Sequence, residues 1–126
     1  GLVALPAAAP LVLAEAEAGD AAAQAIVLRA GTSLGEAAAL VAGRLELGTE
    51  PFEVVMAGGI FAGRNRLLEA TLVEVLHRVA PRATPVHLHC QPVVGAALEA
   101  LELGGIPAAP EVRDRLIASS QGLAVR

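Results

Sequence analysis

The chain has no lysine, tryptophan or tyrosine, one cysteine, one methionine and only two aromatic side chains, Phe52 and Phe61. Without lysine there is no Gly-Lys-Ser/Thr phosphate loop and no Schiff-base amine. With Cys90 alone there is no internal disulfide, no Cys-x-x-Cys pair and no cysteine cage for a metal. A reducing, cytoplasmic setting suits such a chain. The shortage of aromatics removes stacking platforms for nucleic acid. All nine basic residues are arginine, set against 13 acidic ones, and the net charge of −4 offers no basic surface to a phosphate backbone. No nucleic-acid partner is expected.

Long charge-free runs are also scarce. The one that opens the chain, Gly1 to Ala14, is broken by Pro6 and Pro10. It falls short of the roughly 20 apolar residues of a membrane span and lacks a basic leader. Neither a targeting segment nor a membrane partner is expected. The opening Gly1, in place of methionine, reads as a processed, cut or engineered piece.

What is present is alanine, 28 residues of 126, within a hydrophobic fraction of 55%. That fraction excludes intrinsic disorder. Alanine contributes less than the roughly 1.5–3 kcal/mol of a buried Val, Leu or Phe, so helices pack closely on a thin margin of stability. The length allows one domain.

Pro10 predicts the first position of a short helix, Pro10 to Ala18, ended by Gly19. Asp20 then caps a long helix. Along it Ile26, Ala30, Leu34, Ala37, Val41 and Leu45 recur at helical spacing and form one apolar face, and Gly48 ends the helix. Gly31, Gly35 and Gly43 inside it each cost up to about 1 kcal/mol against alanine, which a close backbone neighbour, another helix or a ligand, would explain. Phe52 to Ala57 reads as a strand covered on both faces. A helix from about Arg64 to Ala80 carries Leu68, Leu72, Val75 and Val79 on one face and stops at Pro81. A second strand, about Thr84 to His89, alternates Val86 and Leu88 inward with His87 and His89 outward, and Pro85 marks its start or an edge. Pro92 opens a helix with the stripe Val94, Ala97, Leu98 and Leu101, ended by Gly104-Gly105. A last helix runs from Pro110 to about Ser119, after which the tail frays. Strand, helix and strand in that order imply a parallel pair. Two strands leave the sheet incomplete, so an open edge is expected to be covered by association, as in a homo-oligomer.

Chemistry is expected at Val54-Val55-Met56-Ala57-Gly58-Gly59-Ile60-Phe61. In an open α/β sheet, ligands bind beyond the carboxyl ends of strands. Paired glycines admit a ligand to the backbone, and a following helix N-terminus favours an anion. A tight strand-to-helix turn with no ligand fits the same residues. Arg64, Asn65 and Arg66 follow the turn within reach of a phosphate or a base, though solvated and capping residues take that pattern too. His87 and His89 share one strand face, as a metal pair would, but with no third ligand they read as exposed strand residues and no metal site is assigned. Cys90 reads as a small core residue, and Glu15, Glu17, Glu99 and Glu102 as solvated helix faces. Asp20 and Asp114 read as helix caps.

Taken in succession, Gly19-Asp20, the alanine-rich helix, the segment from Val54 to Phe61, and Gln91-Pro92-Val93-Val94-Gly95-Ala96-Ala97 resemble the C-terminal lobe of the N-acetylglucosamine kinase and BadF/BadG/BcrA/BcrD-type ATPase family. That family belongs to the actin, heat-shock-70 and sugar-kinase superfamily. The resemblance spans residues 4–105. It implies an α/β fold, a partial ribonuclease-H-like lobe of parallel strands flanked by helices, with residues 1–126 as one partial domain of a longer ATP-dependent sugar kinase. It implies ATP and magnesium as cofactors, an amino sugar such as N-acetylglucosamine as substrate, and Gly58, Gly59, Ile60 and Asn65 against the nucleotide. The helix opened by Pro92 would pack beside that turn. The family's amino-terminal Asp-Gly-Gly motif, catalytic carboxylate and sugar pocket have no counterpart here, so no catalytic residue is assigned and the piece alone is expected to be inactive. Two rivals stand beside this reading. One is an ATPase activator of the benzoyl-CoA reductase type, whose cysteine-held iron–sulfur cluster fits poorly with a single cysteine. The other is a non-catalytic binding or assembly module.

Overall fold

The computed structural model describes residues 5–88 and 90–120, with side chains from residue 8 onward. His89 and the tail at residues 121–126 lie outside the described residues. The fold is mixed α/β, with a two-stranded parallel sheet among helices. The elements are α1 (Leu5–Glu17), α2 (Ala21–Arg44), β1 (Phe52–Met56), α3 (Gly59–Ala62), α4 (Arg66–His77), β2 (Ala83–His87), α5 (Pro92–Leu103) and α6 (Pro110–Ser120). They fall into two compact units, Gly1–His87 and Leu88–Arg126.

In the first unit the parallel pair forms as expected, with Phe52 opposite Ala83, Val55 opposite Val86 and Met56 opposite His87. The helix between the strands, α4, lies on one face. Phe52 and Val54 pack onto a cluster of Ala39, Ala42, Leu76, Ala80 and Ala83. The opposite face is open: Glu53 is exposed, and Val55 is 54% exposed. The strand expected to be covered on both faces is covered on one.

The facing of β2 is also the reverse of the expected one. Ala83 is buried and His87 is tied to α4, while Leu88 lies beyond the strand and is exposed. Side chains alternate with period two, so the residue that α4 covers fixes the whole strand, and a one-residue error turns every side chain over. Pro85 stands on a strand with a single neighbour among the described residues, the edge position that suits its missing N–H.

Helix α2 shows the largest departure. Its buried residues are Ala23, Val27, Gly31, Gly35, Ala39 and Ala42. The expected face is mostly turned outward, with Ile26 57%, Val41 56% and Leu45 62% exposed. The reason is how closely α2 runs against α4. A Cβ built on Gly31 would lie 2.8 Å from the Leu68 carbonyl oxygen, and one on Gly35 would lie 2.7 Å from that of Leu72. Small residues face α4 because large ones would not fit. The close neighbour expected for the glycines is therefore α4 at Gly31 and Gly35, whereas Gly43 meets nothing within 4 Å. By length and apolar composition alone, α2 would also suffice to cross a bilayer.

Helix boundaries follow from local hydrogen bonds. Helix α1 starts at Leu5, before the expected Pro10, and carries Pro10 inside it. Its end is a glycine-closed turn: Gly19 at φ +97 donates to the Ala16 carbonyl, and Asp20 N–H donates to that of Glu15. Asp20 then caps α2, its carboxylate accepting from Ala23 N–H at 2.7 Å. Helix α2 stops before Gly48. Glu46 adopts φ +58 and donates to the Gly43 carbonyl, and Leu47 donates to that of Ala42. The same closure thus forms without glycine. Helix α4 is shorter than expected, starting after the Asn65 cap and leaving Val79 outside it and exposed. Asp114 lies within α6 and not at its start, so it is not a cap.

In the second unit, α5 buries Val94, with Ala97, Leu98 and Leu101 half-buried along its stripe. It closes at Gly104-Gly105 as expected. Cys90 is free and half-buried.

Candidate functional site

The carboxyl ends of β1 and β2 lie side by side, and the candidate residues of the first unit gather there and on the loop that follows. Met56 ends β1, 5% exposed, and Ala57 leads into Gly58. Gly58 takes φ +100 and ψ 166, a backbone conformation that only glycine adopts freely. Gly59 needs no such freedom. It begins α3, and a Cβ on either glycine would meet no atom within 4 Å. The turn is open space along an exposed stretch of backbone. Ile60 and Phe61 are half-buried and anchor it, packing against Ala16, Ala23, Val27 and Leu68. Helix α3 is a single four-residue turn, and the helix expected after the glycines begins beyond it as α4, its N-terminus capped by Asn65.

Arg64 follows at φ +49, an uncommon conformation for a side-chain-bearing residue. Arg64, Arg66 and Leu67 line a shallow cleft of about 450 Å³ with Ala16, Glu17 and Gln24. Neither arginine forms an ion pair among the described residues.

Asn65, between the arginines, serves the fold. It is 2% exposed. Its amide nitrogen donates to the Leu13 carbonyl at 3.3 Å and to Glu17 Oε1 at 3.2 Å, while its oxygen accepts from Leu68 N–H at 3.0 Å. One side chain thus caps α4 and ties it to α1, and its donors are committed there. Of the four residues assigned to a nucleotide, Gly58, Gly59 and Ile60 form the turn, and Asn65 stands behind it in the core.

One pair was not legible in the sequence. His87 ends β2, and its Nε2 lies 3.2 Å from Glu69 Oε2 on the first turn of α4. Both side chains are 20% exposed, and Glu69 Oε1 is buried without a hydrogen-bond partner. The two residues are 18 apart in the chain, with no spacing to betray them, and the expected outward facing of His87 hid the contact. His77 is occupied structurally, its Nε2 donating to the Ala83 carbonyl at 2.9 Å. Among the described residues no three His, Cys, Asp or Glu side chains stand together as a metal site. Comparison with family models, with curated proteins and with solved structures gives no match to this chain.

Proposed function

We propose that the chain is the nucleotide-binding C-terminal lobe, ribonuclease-H-like in fold, of an ATP-dependent sugar kinase that transfers a phosphoryl group to a sugar such as N-acetylglucosamine. The observation that carries this reading is the open Gly58-Gly59 turn at the carboxyl end of a parallel strand. There the backbone is bare, so the adenosine and inner phosphates of ATP can approach it, while Ile60 anchors the turn from beneath. Arg64 and Arg66 place positive charge on the same loop. Bound ATP-magnesium supplies the phosphoryl group. This chain's own part is to hold and orient the nucleotide, and the chain alone is expected to be inactive as a kinase in a magnesium-containing coupled assay.

The experiment is calorimetric titration of the chain with ATP, repeated on Gly59→Val. Space and an ordinary backbone conformation at Gly59 let the variant fold, while the new side chain fills the nucleotide's approach. The expected loss is on the order of 2 kcal/mol or more of binding. Unchanged affinity in a folded Gly59→Val chain, or no ATP binding by the original, refutes the assignment.

A second reading, an assembly module that pairs with another copy of itself, is favoured by the outward apolar face of α2 at Ile26, Val41 and Leu45. Sedimentation as a dimer that Ile26→Arg dissociates would support it. A monomer at all concentrations would remove it.

A further inference from the structure

The Glu69–His87 pair lies at the carboxyl edge of the sheet, beside the turn just assigned. Met56 is the register partner of His87, and Gly58 follows Met56 by two residues. An ionised carboxylate only accepts hydrogen bonds, so Nε2 of His87 must be the donor in the 3.2 Å contact with Glu69. That contact fixes the tautomer. With the proton on Nε2, the lone pair of the neutral ring sits on Nδ1. Nδ1 has no hydrogen-bond partner among the described residues, and the His87 side chain is 20% exposed. The arrangement presents a fixed acceptor at the edge where a parallel sheet receives its ligand. Packing gives no account of it, because the alanine-rich core gains nothing from a carboxylate that keeps one oxygen buried and unpaired.

We propose that Glu69 and His87 together form a hydroxyl-recognition element: Glu69 holds the imidazole, and His87 Nδ1 accepts a hydrogen bond from a ligand hydroxyl. The proposal rests on the nucleotide reading above and makes the hydroxyl that of the ribose. Glu69 is then a positioning residue, and His87 the residue that touches the ligand.

The test titrates the chain with ATP and with 2′,3′-dideoxy-ATP, then repeats both on His87→Phe. Phenylalanine keeps a planar ring at that place and removes Nδ1, the proposed acceptor. The original chain is expected to bind ATP about tenfold more tightly than the dideoxy analogue, and His87→Phe to bind the two alike. Nitrogen-15 spectra of the imidazole should show the Nε2–H tautomer in the original chain, a readout that does not depend on the variant folding. Equal binding of the two nucleotides by the original chain, or an Nδ1–H tautomer, overturns this proposal and leaves the nucleotide reading standing. Absence of ATP binding overturns both.

Discussion

Replacing Gly35 with alanine tests the feature that departs most from the hydropathy of the chain, the contact of α2 with α4 along a stripe of small residues. A Cβ there would lie 2.7 Å from both the Leu72 carbonyl oxygen and Val75 Cβ, against 3.4 Å for the onset of ordinary contact. Backbone cannot rotate aside as a side chain can, so α4 must retreat by about 0.7 Å. A gap of that size forfeits roughly a quarter to a half of the dispersion attraction across it. The side chains that lose it include Val27, Leu68, Leu72 and Leu76, all buried. At about 0.5–1 kcal/mol each, the loss is about 2–4 kcal/mol. Alanine returns up to about 1 kcal/mol of helix propensity. The net expectation is a destabilisation of about 2 kcal/mol. Gly43, on the same helix with nothing within 4 Å, is the internal control: there alanine should stabilise by about 0.5 kcal/mol, since only the propensity gain remains. Urea denaturation of the three proteins, followed by circular dichroism, measures both differences. A Gly35→Ala chain as stable as the original would refute the close approach and, with it, the assignment of the buried face of α2.

Three further outcomes follow from the same structure. Asn65→Ala removes the cap of α4 and leaves Glu17 Oε1 and the Leu13 carbonyl without their donor, and should cost about 2 kcal/mol by urea denaturation. Glu46→Gly relieves a side-chain-bearing residue of φ +58 at the end of α2, and thermal unfolding should show a gain of about 0.5–1 kcal/mol. Ile26→Gln and Val41→Gln should each change chain stability by no more than about 0.5 kcal/mol at low protein concentration, because both residues face solvent, whereas Val27→Ala on the opposite face should cost about 1–2 kcal/mol.

How much of this was legible depended on whether the signal was local. Asp20 before an alanine run, Gly19 after a helix, and Pro92 ahead of Val94 all act through neighbours in the chain, and each stands where expected. The parallel pairing of β1 with β2 was also legible, because strand, helix and strand in that order leave little other choice. The faces were not. Hydrophobic periodicity assumes that the largest apolar residues go inward, and α2 inverts that rule because a glycine and alanine stripe permits a closer helix contact than leucine does. Glu46 closing a helix without glycine, and Pro10 inside one without ending it, are the same kind of override: tertiary packing outweighs a local preference of about 1–3 kcal/mol.

The glycines link the fold to the site. Gly31 and Gly35 are required by the approach of α4, and Gly58 by its φ of +100. Each of these would be glycine in a protein that bound nothing. Gly59 is different. Its backbone conformation is open to any residue, its Cβ position is empty, and it starts a helical turn where alanine would be the better former. Gly63, at the end of the same turn, is equally free of contact. Fold stability therefore gives no reason for glycine at either position. Under the proposed nucleotide reading a ligand reaching the backbone beyond β1 would give one, and Gly59 lies at the carboxyl edge that β1 shares with His87. The sequence pattern Gly58-Gly59 looked like a single signal. The structure separates it into one glycine that the turn requires and one, Gly59, that neither backbone conformation nor contact requires.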